Sequence, residues 1–330
     1  MIQLMFLFIT LCSFADDHSK NWGVHHIGAD KITKVDHDKK SIVVAVVDTG
    51  VDFTHPDLTK KAWTDPLTGT HGWDFLSNNQ STLDAHGHGT HVAGIITSVA
   101  PVASIMSAKY YSESASGATN LANSIKALNY AIDHNATIIN YSGGGAEFSL
   151  EEYNAIKKAG QRGILIVVAA GNEASDIDDP TKYYYPCAYR QNNTICVSAI
   201  NIQNKLLSSS NWGKTSVDLA APGENILSTA PGGKYAYMSG TSQATAFVSG
   251  VAALIKSKNI HLSPRQIKEI IVGSVDEVTF VKSKVMSGGR VSAVKALRFA
   301  SLTTVARGKN ENSCNNVCDI TYKLRTKDQR

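Results

Sequence analysis

No excess of either charge marks this sequence. Lys and Arg number 32, Asp and Glu 28, and the net charge is only +4, with no dense basic tract. A nucleic-acid footprint is therefore a poor reading. Long apolar runs are also scarce. The one that stands out, Met1 to Ala15, is too short to span a bilayer. Asp16-Asp17 follow it at once, and Ser13-Phe14-Ala15 puts small residues where a signal peptidase reads. Residues 1–15 thus read as a secretory signal cut after Ala15, with no membrane segment left after cleavage. Cys12 lacks the small residues that precede a lipid-anchored cysteine. Cysteine is sparse: five in all, leaving Cys187, Cys196, Cys314 and Cys318 in the exported chain. An even number there suggests disulfides, and three pairings stay open. Pairing Cys187 with Cys196 and Cys314 with Cys318 needs the least chain movement. The spacings do not match the usual zinc motifs. Internal repeats and a second domain are absent from the pattern.

What is present suits one large α/β domain. The chain has 330 residues, 43% hydrophobic and 18% charged, as a globular domain requires. Residues 41–47 form a β-branched run, the mark of a strand buried on both faces. Residues 103–108, 137–141, 163–169 and 194–199 repeat it. Helical patterns lie between and beyond: 91–98, 120–134, 150–159 with Gly160 as the stop, and 241–257. A helix over 264–272 has Ser263 as its cap and Pro264 at its first position. Alternating strands and helices predict a doubly wound, mainly parallel sheet flanked by helices. The pattern fades near Arg298. The organisation expected is a signal at 1–15, one domain over 16–298, and a polar extension over 299–330 holding the Cys314–Cys318 loop.

Three short stretches carry chemistry. Val46-Val47-Asp48-Thr49-Gly50 ends a buried strand in an acid. His88-Gly89-Thr90-His91 offers a base, and Ser239-Gly240-Thr241-Ser242-Gln243 puts a serine in the first turn of a helix. A serine hydroxyl is a weak nucleophile until a base removes its proton. His88 is the candidate base and Asp48 the acid that orients it and stabilises the imidazolium. Asp52 is a competing acid, but Asp48 directly ends the strand. His91, three residues along the helix, is read as structural. The reaction also needs donors for an oxyanion. Asn172, after the strand 163–169, and the backbone N–H of Ser242 fill that role. Gly240-Thr241-Ser242-Gln243-Ala244 lacks the second glycine of a lipase nucleophile elbow.

These residues resemble the subtilisin-like serine proteases, the subtilase family. The chain order Asp, His, Ser belongs to that family. The resemblance runs from about Trp22-Gly23 to about Leu297. It includes Asn140-Tyr141-Ser142-Gly143-Gly144-Gly145, Ala169 to Glu173, Tyr185-Pro186, where the family often has a cis peptide, and Ala220-Ala221-Pro222-Gly223. It implies a seven-stranded parallel sheet and endopeptidase activity with Asp48, His88 and Ser242 as the triad and Asn172 as oxyanion donor. It also implies that Gly117, Ala118 and Thr119 on one side, and Ser142, Gly143 and Gly144 on the other, pair with an extended polypeptide substrate. Gly143 replaces a larger apolar residue, so a more open pocket is expected.

Four departures qualify the resemblance. Gln243 stands where Met usually follows the nucleophile, which predicts better tolerance of peroxide. Ala246 stands where Pro is typical, permitting a more regular first turn. Slower hydrolysis, or an acyl-enzyme that accepts amines and so ligates peptides, would follow; a degenerate peptide-binding protein is the further alternative. Residues 91–98 run straight into Val99-Ala100-Pro101, without the calcium-binding loop of many relatives. The usual strong calcium site is therefore expected to be absent, Asp57 to be a turn residue, and no cofactor to be required. Too few residues precede Trp22 for a folded pro-domain, so a separately encoded inhibitor or chaperone is an expected partner unless the chain folds unaided.

Overall fold

The computed structural model describes residues 10–12, 21–32 and 42–307. Most of the expected signal, and the Cys314–Cys318 loop, lie outside the described residues. In chain order the strands and α-helices begin with β1 (Thr10–Cys12), α1 (Trp22–His26), β2 (Ile42–Asp48), β3 (Gly72–Asp74), α2 (His88–Val99) and β4 (Ala103–Lys109). Then come α3 (Gly117–Asp133), β5 (Ile138–Tyr141), α4 (Leu150–Gln161), β6 (Leu165–Ala169) and β7 (Thr194–Ile200). The chain continues with β8 (Leu219–Pro222), β9 (Ile226–Ala230), β10 (Lys234–Met238), α5 (Thr241–Lys258) and α6 (Pro264–Gly273). It ends with β11 (Asp276–Glu277), β12 (Gly289–Arg290) and α7 (Ala293–Arg307).

One sheet organises the molecule, in the order β11-β12-β8-β7-β6-β5-β2-β4-β3. The seven strands of three or more residues are all parallel. Two-residue strands extend one edge: β12 is parallel to β8 and β11 antiparallel to β12. A second sheet of β1, β10 and β9 lies apart. Strand order reverses at β2, whose neighbours are β4 on one side and β5 on the other. Ligands in open α/β sheets bind outside the carboxyl ends of strands at such a reversal. Asp48 is the last residue of β2.

Alternate residues of each strand feed two cores. Val44, Val46, Ile138, Leu165 and Val167 face the layer of α2 and α5, where Phe247 and Val251 are buried. Ala45, Val47, Ile139, Ile166 and Val168 face the other layer, with Leu128, Ile132 and Ile156 from α3 and α4. Helix α5 runs through the first core, with every residue from Thr241 to Ser257 buried. Such burial explains why its sequence is small and apolar on all sides.

Local chemistry sets the element ends. Helix α4 passes the expected stop at Gly160 and ends at Gln161. Gly163, at φ +75°, is the residue that ends it. Its N–H donates to Gly160 O and that of Ile164 to Ala159 O, the Schellman pattern, which needs the left-handed residue just past the helix. Helix α6 carries the expected cap: Ser263 and Gln266 form a reciprocal capping box, with Pro264 at the start. The expected domain limit at residue 298 falls inside α7.

Candidate active site

Asp48 and His88 meet because β2 ends where α2 begins. Asp48 Oδ1 accepts from His88 Nδ1 at 2.7 Å and from the Thr49 N–H at 2.7 Å. Both side chains are nearly closed to solvent. A carboxylate only accepts, so Nδ1 carries the hydrogen and Nε2 is the basic nitrogen of the neutral ring. Burial pulls the His88 imidazole down, but the Asp48 charge and its hydrogen bond, with Asp84 behind them, leave it raised above 6.5. Asp52 makes no such contact. Its carboxylate accepts from Thr54 and from the Gly232 N–H, tying one loop to another.

Asp84 was not anticipated from sequence. It is buried and accepts from Thr49 Oγ1, from the His86 and Gly87 N–H groups, and from both Thr90 N–H and Thr90 Oγ1. It thereby clamps the start of α2 onto the turn after β2. The signal was present, since an acid just before a helix start is favourable there. His91, by contrast, is structural as expected: its Nε2 lies 3.0 Å from both Ile226 O and Ala236 O, fastening α2 to the β9–β10 hairpin.

Ser242 lies in the first turn of α5, behind Gly240. Its Oγ donates to Ser142 O at 3.4 Å, a long and weak contact from which a hydroxyl can turn away. Asn172 sits beside this turn. Its Oδ1 accepts from the Thr241 N–H at 3.0 Å and from Thr241 Oγ1 at 3.2 Å. A backbone N–H can only donate, so the amide orientation is fixed and Nδ2 is left as a donor pointing elsewhere. Helix α5 also holds the segment after β5. Ser249 Oγ donates to Asn140 Oδ1, and Asn140 Nδ2 to Ser142 Oγ.

The segments expected to pair with substrate differ from one another. Ser142, Gly143 and Gly144 follow β5 in non-helical backbone. Among the described residues, the backbone groups of Gly143 and Gly144 make no hydrogen bond. Gly145 pairs with Tyr185 in both directions, at 2.9 and 2.7 Å. Gly117, Ala118 and Thr119 are a correction. They form the first turn of α3, because Ser116 Oγ caps the Thr119 N–H and starts the helix three residues before Asn120. A helical turn cannot present a strand edge. Gly117 does line a small cavity with Gly144, Gly145 and Tyr185.

The expectation of an open pocket at Gly143 is also corrected. A Cβ on Gly143 would lie 2.0 Å from Tyr110 Oη and 2.9 Å from the Tyr141 ring. The missing side chain makes room for Tyr110, which is buried. Gln243 is buried too, and its Nε2 has no hydrogen-bond partner among the described residues. Ala246 is fully buried within the continuous helix α5. Asp57 accepts the Tyr235 hydroxyl at 2.7 Å. Among the described residues, no group of three or more His, Cys, Asp or Glu side chains is placed to hold a metal. The Tyr185–Pro186 peptide is cis, and Cys187 is joined to Cys196.

Comparisons with known proteins bear on this arrangement. A model of the subtilase family matches residues 39–310. The major intracellular serine protease of Bacillus subtilis (strain 168) is 40% identical over 241 residues, covering 70% of this chain and 73% of that protein. The thermophilic serine proteinase of Bacillus sp. (strain AK1) is 35% identical over 266 residues, 78% of this chain, and the chain spans 61% of its length. The crystal structure of a cold adapted subtilisin-like serine proteinase superposes with a TM-score of 0.66 at 29% identity, covering 79% of this chain and 97% of that one. The class these matches define is that of subtilisin-like, serine-type endopeptidases. The chain belongs to the subtilase family.

Proposed function

We propose that this chain is an exported endopeptidase that cleaves extended polypeptides through Asp48, His88 and Ser242. Ser242 Oγ attacks the scissile carbonyl carbon as its proton passes to His88 Nε2. Asp48 stabilises the imidazolium that forms. Asn172 Nδ2 and the Ser242 N–H donate to the oxyanion. The C–N bond then breaks, His88 returns the proton to the leaving amine, and Ser242 keeps the acyl group. Water, deprotonated by His88, releases the acid and frees the serine. The open backbone groups of Gly143 and Gly144 supply a strand edge for the substrate. The observation that carries the reading is the buried 2.7 Å contact between His88 Nδ1 and Asp48, with Asn172 locked beside the Ser242 turn.

Export is supported by the signal-like residues 1–15 and by the Cys187–Cys196 disulfide, a bond that persists in oxidising compartments. Sequencing the amino terminus of protein recovered outside the cytosol checks it: a start at Asp16 is expected. Activity is tested by mass spectrometry of a long unstructured peptide with an excess of a short amine-bearing peptide, beside Ser242→Ala. Fragments from the wild type alone are expected. Fragments joined mainly to the added amine would replace hydrolysis by transpeptidation, the outcome Ala246 motivates. An intact peptide in both samples would leave only peptide binding.

A further inference from the structure

The acyl chemistry dictates where a substrate side chain must go, and in this chain that place is filled. Ser142, at the end of β5, accepts from Ser242 Oγ. Gly171 and Asn172 follow β6, the parallel neighbour of β5. Consider a carbonyl carbon bonded to Ser242 Oγ, with its oxygen toward Asn172 and its chain along residues 142–144. The side chain on its acyl side enters the slot between the ends of β5 and β6.

Glycines line that slot, and their missing Cβ atoms mark what occupies it. A Cβ on Gly144 would lie 2.4 Å from Tyr184 Cε1. A Cβ on Gly171, on the opposite wall, would lie 2.4 Å from Asn211 Nδ2, 2.5 Å from Glu173 Oε2 and 2.8 Å from Tyr184 Cζ. The Tyr184 ring therefore spans the slot and touches both walls. Tyr110 Oη fills the space beside Gly143. Neither ring is on a loose tether. Tyr185, next to Tyr184, is bonded both ways to Gly145, Ala188 N–H donates to Tyr184 O, and Cys187 is tied to β7. Tyr110 is buried at the end of β4, its N–H donating to Asp48 O.

We propose that Tyr184 closes this slot to all but small side chains, so that the enzyme cleaves after Gly, Ala or Ser and rejects Phe, Leu and Lys. The proposal rests on the catalytic reading above. A large side chain would have to displace a half-buried ring held between two backbone segments, and lose that ring's contacts with both.

The test is a set of peptides varied at one residue before the cleaved bond, with kcat/KM measured for the wild type, Tyr184→Gly and Tyr184→Phe. In the wild type, cleavage after Ala is expected to exceed cleavage after Phe or Leu by at least about tenfold, the usual scale of pocket discrimination. Tyr184→Gly should raise cleavage after Phe and Leu relative to Ala by about tenfold or more. Tyr184→Phe should keep the wild-type preference, since the ring and not the hydroxyl fills the slot. Wild-type cleavage after Phe or Leu as fast as after Ala would overturn the proposal, whatever the variants do. The catalytic reading fails separately: it falls if no peptide is cut and a fluorophosphonate does not label Ser242.

Discussion

At the residue scale, the site turns on the charge behind one imidazole. In the proposed mechanism His88 must be neutral to accept the serine proton, and Asp48 holds its pKa above 6.5 against the pull of burial. The acid limb of kcat/KM should therefore lie above pH 6.5, with activity rising as His88 deprotonates. Replacing Asp48 by Asn removes the charge and leaves burial dominant, so the limb should move below pH 6.5. The same change should lower kcat by about 10⁴-fold, since the correct tautomer is lost. A pH profile of both proteins checks this; an unmoved limb would show that Asp48 does not set the titration. Asp48, His88, Ser242 and Asn172 were legible in the sequence because each follows a buried strand or opens a helix, where few residue types fit. Thr241 and Tyr184 were not. Their partners are far along the chain, as with Thr241 and Asn172 at 3.0 Å, and no short motif records such a pairing. Asp84 was overlooked although its place just before a helix start was a signal.

At the element scale, periodicity revealed the strands that alternate between two cores, and the helices between them. It missed β3, β8 and the β9–β10 hairpin, which are short and held by neighbours more than by their own pattern. The resemblance implied a substrate edge at residues 117–119, but the cap on Ser116 starts helix α3 there instead. The contact between α2 and β2 is tight enough to predict from. A Cβ on Gly89 would lie 2.1 Å from Gly50 O and 3.1 Å from Asp48 Cβ. Backbone cannot step aside as a flexible side chain does, so Gly89→Ala must push the start of α2 away from the end of β2. His88 would move with it. Activity should fall by about 100-fold, the cost of displacing a reacting group by about an ångström. Stability should fall by only about 1–3 kcal/mol, the usual penalty of overpacking. Kinetics beside thermal unfolding separates the two; activity within twofold of wild type would show that the helix yields without disturbing the pair.

At the scale of the whole molecule, the expectation that no strong calcium site is needed puts the burden of stability on packing. The sheet reverses at β2, both its faces are covered, and α5 is buried along almost its whole length. Helix α2 reaches β4 through only residues 100–102, closed by a bond from the Ala103 N–H to Ala100 O at 2.9 Å. No calcium loop fits in that turn, and the carboxylate of Asp57 takes the Tyr235 hydroxyl. Chelation should therefore cost little. A site held at a hundred times its dissociation constant would contribute about 2.7 kcal/mol. Its loss from a chain of this size would lower Tm by roughly 4 °C. With EDTA in excess, a shift of less than about 1 °C and unchanged peptide cleavage are expected. A fall of several degrees, reversed by added calcium, would mean that oxygen ligands gather elsewhere in the chain and that the fold depends on them after all.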